Sequence, residues 1–163
     1  MSLMIPGELA NLLNDLGYIW PKSDEDKIVQ LGGHWMDHGG KVSGHAQNAH
    51  IATAGVWEKN QGEAINAYKA KWEHDKSAVN VATNGGTGAH VIGIGLFVCA
   101  GIVLALKINV IVQLTILLVE IIEALATAAP TFGASLLEIP VFKKIADMAI
   151  NLIINLAMEA VLG

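Results

Sequence analysis

The chain has 163 residues and contains no arginine. All ten of its basic side chains are lysines, and they are outnumbered by 15 aspartates and glutamates, which gives a net charge of −5. Proteins that hold the phosphate backbone of nucleic acids rely on a surplus of positive charge, commonly with arginine. The composition therefore predicts that nucleic acid is not a partner.

Cysteine is nearly absent as well. Cys99 is the single one, and it stands in the apolar run LFVCAGIV, so that no intrachain disulfide can form and a small buried hydrophobe is its expected role. The start of the chain, MSLMIPGEL, lacks the basic beginning and the continuous apolar stretch of a secretory signal. Any export is therefore expected to need a signal inside the folded domain.

Charge is sparse and unevenly placed. Only 15% of the residues are charged and 53% are hydrophobic. Residues 1–88 carry 7 lysines and 10 acids, whereas residues 89–163 carry 3 and 5. The length fits one domain with a sizeable core. We predict a single helical domain over 1–163, with a polar hairpin part at 1–83 and an apolar part at 89–163.

No segment shows the alternation of a β-strand, and helical spacing of apolar residues runs throughout. The sequence predicts a short first helix that starts at Pro6 and stops at Gly17. An aromatic corner then precedes a second helix that has three acids in its first turn, where the helix dipole favours them. The corner consists of Gly17, Tyr18, Trp20 and Pro21.

A helix seam is predicted in the second helix, because apolar and histidine positions recur in steps of three and four, the spacing of helices that pack side by side. Its members are Ile28, Leu31, Trp35, His38, Val42 and His45, and the spacing continues through Ala49, Ala52 and Val56. Several glycines interrupt the same helix, each at a cost of about 1 kcal/mol relative to alanine. They indicate close approach of another helix or local bending.

The stretch VWEKNQGEAINAYKAKW predicts the elbow of a helical hairpin, since Asn60-Gln61-Gly62 breaks the helical pattern between two tryptophans. Trp57 is expected to pack near Ile65 or Tyr68 on the returning helix. The glycine-rich segment NGGTG at residues 84–88 then predicts a loop. Two long apolar helices follow, at about 89–126 and 140–162.

Residues 89–106 contain no formal charge and reach the lower limit of a membrane span. Lys107, Asn109 and Gln113 interrupt the apolar run, and neither an aromatic belt nor a lysine cluster brackets it. These details favour a core helix that its neighbours bury on most sides. Insertion of residues 89–119 and 140–162 into a membrane stays an open alternative.

Catalytic and metal-binding patterns are weak. His34 and His38 lie one helical turn apart and could share a metal ion, yet no HExxH pattern or second cysteine supports such a site. Consecutive acids such as residues 24–26 point in different directions on a helix, so they cannot flank one substrate atom. The remaining candidates for a metal site are Asp37, His45 and His50. We predict no catalytic residues, no metal and no cofactor.

Two segments resemble a known family. The run IPGELANLLNDLGYIWPKSDEDKIVQLGGHW, followed by NQGEAINAYKAKW and long apolar helices, resembles the amino-terminal domains of actinobacterial polymorphic toxins and channel-like proteins. Those domains are related to the WXG helical hairpins exported by type VII secretion. The resemblance implies a recognition turn formed by Trp57, Asn60, Gly62 and Trp72. The spacing in this chain is Trp-x-x-x-x-Gly, whereas the family has Trp-x-Gly.

The predicted fold is all-α: a long helical hairpin with two further long apolar helices packed along it, as an elongated helical bundle. The resemblance implies a non-enzymatic targeting and assembly module of a type VII-secreted toxin or effector. It would act with a second copy or a WXG-like partner and with the secretion machinery. The expected location is cytoplasmic before export, and secreted or on the cell surface afterwards. The alternative function is a membrane-inserting or pore-forming helical domain.

Overall fold

The computed structural model describes residues 2–162, and within them every regular element is helical. This confirms the predicted all-α class with long helices packed together. The elements are α1 (Gly7–Asp15), α2 (Glu25–Lys59), α3 (Glu63–Glu73), α4 (Ala78–Ala126), a short 3-10 helix (Ala134–Glu138) and α5 (Ile139–Leu162).

The chain divides into two compact units. One, called the terminal unit below, comprises Met1–Asp26 and Cys99–Gly163; the other, the middle unit, comprises Lys27–Val98. The 49-residue helix α4 contributes to both units. That residues 1–163 act as a single domain stays a prediction, and the two units are described separately below.

The terminal unit is built around one apolar cluster. Leu9 and Leu13 of α1 are buried against α4 and α5, where their partners are Val110, Leu114 and Ile150. Pro6 precedes α1 at its N-cap, and Gly17 follows the helix with a φ of 88°, a left-handed conformation that favours glycine. The predicted start and stop of the first helix are therefore confirmed.

A buried hydroxyl fixes the connection from α4 to α5. Ser135 donates a hydrogen bond from its Oγ to the carbonyl oxygen of Ala124 at 2.7 Å, which satisfies one of the free carbonyls at the end of α4. Gly133 turns the chain with a φ of 82°. The predicted end of the long apolar helix at residue 126 and the predicted last helix agree with the structure.

The middle unit contains α2, α3 and the first part of α4. The α2 helix meets α4 through glycine: a Cβ atom at Gly39 would lie 2.7 Å from the carbonyl oxygen of Gly86, and one at Gly93 would lie 2.8 Å from that of Gly32. A side chain at these positions would push the two backbones apart. Glycine therefore brings α2 and α4 close together, one of the two roles predicted for it.

The loop predicted at residues 84–88 is wrong, because these residues are helical and belong to α4. Gly86 is buried against Gly39 and Ser43 of α2, so it serves close helix packing instead of a turn. The break in the chain comes earlier, at residues 74–77, between α3 and α4. There the hydroxyl of Ser77 accepts a hydrogen bond from the backbone N–H of Asn80 at 3.3 Å, which helps to cap α4.

The expectation that neighbours would bury the long apolar helix on most sides is also wrong. Burial follows one row of α4, with Ala100, Lys107 and Leu114 spaced seven residues apart. In the stretch Glu63–Ala126, only 17% of the most apolar 18-residue window is buried, and in Ala134–Leu162 the share is 11%. Both stretches are long and apolar enough to cross a membrane by length and composition.

Candidate functional site

The elbow of the middle unit lies where the sequence predicted it. The α2 helix ends at Lys59 and α3 begins at Glu63. Gly62 has a φ of 134° and a ψ of 167°, a backbone region that side chains strongly disfavour. Asn60 donates a hydrogen bond from Nδ2 to the carbonyl of Val56 at 2.7 Å, and so it satisfies an otherwise free carbonyl in the last turn of α2.

Aromatic rings connect the two arms of this elbow. The ring of Trp57 on α2 lies 6.1 Å from that of Tyr68 on α3, centroid to centroid, and Tyr68 lies 6.2 Å from Trp72. The indole N–H of Trp72 donates to Nδ1 of His50 at 3.3 Å, back on α2. The Lys69 ammonium lies 5.9 Å from the centre of the Trp57 ring, within cation–π distance. We call Trp57, Tyr68 and Trp72 the aromatic ladder.

The ladder is only half-buried, and the Tyr68 side chain is exposed. Next to it lies an open pocket of about 510 Å³, lined by residues at the junction of α3 and α4: Tyr68, Lys71, Trp72, His74, Lys76, Ser77 and Ala78. The structure thus brings Trp57 and Trp72 together through Tyr68, a residue that the predicted recognition turn did not include. The sequence spacing could have predicted this contact of Tyr68, since Tyr68 and Trp72 are one helical turn apart.

The aromatic corner belongs to the other unit. Tyr18 donates a hydrogen bond from its hydroxyl to Oδ1 of Asp147 at 2.7 Å, and thereby joins the segment after α1 to α5. This hydrogen bond, with desolvation and the nearby carboxylate charge, raises the pKa of Tyr18 above its usual value. Trp20 packs beside the apolar cluster, and its buried indole N–H has no hydrogen-bond partner among residues 2–162. Pro21 is partly buried next to it.

A buried ion pair lies beneath this corner, and sequence reasoning missed it. The Lys107 ammonium is 2.8 Å from Oε1 of Glu25, and their side chains are 0% and 8% exposed. Burial alone would raise the pKa of Glu25, but hydrogen bonding to Lys107 lowers it, and the net pKa lies below the ordinary value. The heptad spacing of Lys107 from buried Ala100 and Leu114 is the signal that could have revealed its burial.

The predicted seam lies beside the face that α2 turns toward α4. The buried row of α2 consists of Gly32, Gly39 and Ala46, each one residue after a seam position. Ile28 and Val42 are half-buried, whereas the other seam members Leu31, Trp35, His38 and His45 are exposed. The seam as an interface with a partner therefore stays a prediction.

The histidines of α2 do not converge. Among residues 2–162, no group of three histidine, cysteine, aspartate or glutamate side chains could hold a metal ion. The Asp37 carboxylate is instead 2.6 Å from the Lys41 ammonium, which lowers the pKa of that carboxyl. His38 packs edge-on against Trp35, with ring centres 6.2 Å apart.

Comparison with known families identifies the domain type. No curated protein and no solved structure matches the chain significantly. A family model described as the WXG100 like domain matches residues 6–147, which include α1 to α4, the elbow and the start of α5. The chain therefore belongs to the WXG100-like domain family and is a helical protein related to type VII secretion.

Proposed function

We propose that this chain is a non-enzymatic targeting and assembly module of a type VII-secreted toxin or effector, and that it acts by helix–helix association. The observation that supports this most is the exposed apolar part of the seam on α2. Leu31 is 48% exposed and Trp35 is 36% exposed, directly beside the face that packs on α4. A helix from a second copy or from a WXG-like partner can lie along this row and cover it.

The chemistry of the seam suits such a partner. Large aromatic side chains such as Trp35 dominate the energy of many protein interfaces, particularly where an apolar centre has a polar rim. His34 and His38 border a shallow pocket at this position, together with Leu31 and Trp35. The histidines supply polar edges, and the tryptophan supplies the apolar anchor.

One substitution tests this assembly role. Trp35→Asp places a charge on the seam, and we expect it to weaken association by at least about tenfold, since leaving a charge unpaired at an interface is costly. Gln47→Asp is the matched control, because Gln47 is also exposed on α2 but lies outside the seam. Sedimentation velocity at several protein concentrations measures both variants. Equal association by the two variants would contradict the proposal.

We also propose that the secretion machinery recognises the aromatic ladder. It lies at the elbow, and it presents partly exposed rings next to an open pocket. The protein would be cytoplasmic before export, and secreted or on the cell surface afterwards. Export from cells with and without a type VII system tests the route, and Trp72→Ala tests the ladder. Normal export of that variant would exclude the ladder as the signal.

The exposure of the apolar helices favours a second candidate, a membrane-inserting or pore-forming domain. Helices that are apolar on every side are normally buried in protein or in lipid, yet most of the two apolar windows is uncovered. Dye leakage from vesicles of phosphatidylcholine and phosphatidylglycerol tests this candidate. Wild-type protein that neither binds these vesicles nor makes them leak would exclude spontaneous insertion of the chain in the conformation described above.

A further inference from the structure

Lys107 is the single charged residue between residues 89 and 119. Its side chain is fully buried, and every polar partner that its ammonium has among the described residues comes from residues 2–25, which we call the N-terminal segment. The distances from Nζ are 2.6 Å to the carbonyl oxygen of Ser23, 2.8 Å to Oε1 of Glu25 and 2.9 Å to Oγ of Ser2.

These partners match the chemistry of an ammonium group. Two oxygens of the segment, from Ser2 and Ser23, accept hydrogen bonds from the ammonium, and the Glu25 carboxylate supplies the opposite charge as an ion pair. The ring of Trp20 adds a fourth contact, with its centre 5.7 Å from Nζ. Because a buried charge without partners is strongly unfavourable, Lys107 depends on the N-terminal segment to stay where it is.

The same segment covers the apolar side of α4 and α5. Leu9 and Leu13 close the cluster formed by Val110, Leu114 and Ile150. If the N-terminal segment dissociated from α4 and α5, these three side chains would become exposed. They would then add to the apolar surface of the two helices that solvent already reaches. Its exposed members include Leu104, Ile108, Val112 and Ile116 of α4 and Ile145, Met148, Leu152 and Leu156 of α5.

A lipid bilayer suits this surface better than a protein partner does. A groove of about 300 Å³ between α4 and α5 is lined only by apolar residues: Ile102, Val103, Leu106, Ile154, Ala157, Met158, Val161 and Leu162. The most apolar 18-residue windows of the two stretches have mean hydropathies of 2.5 and 1.7, and their length is at the lower limit that the hydrocarbon core of a bilayer requires.

We propose that the Glu25–Lys107 ion pair is a lock: it holds the N-terminal segment on α4 and α5 and keeps these helices from binding a lipid bilayer. The proposal rests on the second candidate function, membrane insertion. Loss of the Glu25 charge releases the segment, and the uncovered helices then bind lipid. The lock does not require another protein, since all of its groups lie in the terminal unit.

The full-length chain with Glu25→Gln tests the lock, because glutamine keeps the shape and removes the charge. Asp15→Asn is the matched control: Asp15 also ties the N-terminal segment to a long helix, in this case α5 through Lys143 at 3.7 Å, but this pair is exposed to solvent. Hydrogen exchange in residues 2–25 reports release of the segment. Flotation with phosphatidylcholine and phosphatidylglycerol vesicles reports lipid binding.

We expect Glu25→Gln to speed exchange in the segment by at least about tenfold and to raise the floated fraction, with little change for Asp15→Asn. The double variant Glu25→Met with Lys107→Met should keep the segment in place by apolar packing and float no more than the wild type. It also shows whether loss of the pair can be tolerated without unfolding, which circular dichroism checks for every variant.

Three results would overturn the proposal in distinguishable ways. Unchanged exchange in Glu25→Gln would mean that the ion pair is not a lock, whatever the vesicles show. Fast exchange without flotation would mean that the segment is released but that the helices do not bind lipid, and the membrane-inserting function would then fail as well. Flotation of the double variant with a docked segment would also contradict the lock.

Discussion

Substitution of Gly39 by alanine tests the contact between α2 and α4 at its closest point. The new Cβ would lie 2.7 Å from the carbonyl oxygen of Gly86 and 2.5 Å from Nδ1 of His90. The imidazole of His90 can rotate away from the new Cβ. The carbonyl of Gly86 belongs to the backbone of α4, so it can move only if the helix moves. To reach 3.4 Å, where ordinary contact begins, the helices must separate by about 0.7 Å locally.

The magnitude follows from two opposing effects. Overpacking of a tight contact costs about 1–3 kcal/mol, whereas alanine in place of glycine within a helix gains up to about 1 kcal/mol. Gly39→Ala should therefore lower the free energy of unfolding by about 1–2 kcal/mol. Gly40→Ala is the adjacent control: nothing lies within 4 Å of its added Cβ, so the propensity gain remains, and we expect a stabilisation of up to about 1 kcal/mol.

Urea denaturation followed by circular dichroism measures both variants under the same conditions, and the difference between them is the quantity of interest. The sign must be opposite for the two neighbours. If Gly39→Ala is as stable as Gly40→Ala, α2 and α4 do not approach closely at this glycine, and the proposed packing of the middle unit is incorrect.

Three further predictions concern the elbow and the buried ion pair. Trp57→Ala should lower the free energy of unfolding by about 2 kcal/mol. This is less than for a fully buried tryptophan, because Trp57 is half-buried against Tyr68. Urea denaturation measures the change, and an unchanged midpoint would contradict the contact between the two rings. Gly62→Ala should cost about 1–2 kcal/mol in the same assay because its φ is 134°, and a neutral effect would show that the turn relaxes easily. Because the pKa of Glu25 is lowered in the folded chain, its ion pair stabilises the fold above the unfolded pKa of about 4.3, and this contribution is lost as the pH falls through the lower folded value. The melting temperature should therefore fall more steeply below about pH 4.5 in the wild type than in Glu25→Gln, and parallel curves would contradict the pairing.

The helices could be predicted from the sequence largely because apolar spacing and chain breakers act locally. Gly17 and the Asn60-Gln61-Gly62 break end helices in the structure, as their conformational freedom and polar character indicate. The segment at 84–88 shows where this local reasoning fails. Glycine favours a turn in isolation, but opposite another helix the same residue allows close contact, and only the tertiary packing decides between these outcomes.

The candidate sites divide in the same way. Neighbours along one helix, such as Tyr68 and Trp72, can be inferred from spacing alone. Lys107 and Glu25 are 82 positions apart, so no local pattern connects them. In the sequence alone, a lysine within an apolar run indicates only an interruption of that run. The contact of α2 with α4 was not predicted at its own positions, because leucine and tryptophan carry more apolar surface than glycine, although glycine forms this contact. The seam itself lies one residue to the side and stays a prediction.

The proposed function requires that exposed helix faces of this chain associate with one another or with a partner. Sedimentation equilibrium of the purified wild-type chain in detergent-free buffer measures this association. We expect a discrete soluble dimer or higher oligomer at micromolar concentrations, which dissociates on dilution and does not bind added vesicles. A chain that stays monomeric at these concentrations and moves onto the vesicles would contradict it, and would favour the membrane-inserting function instead.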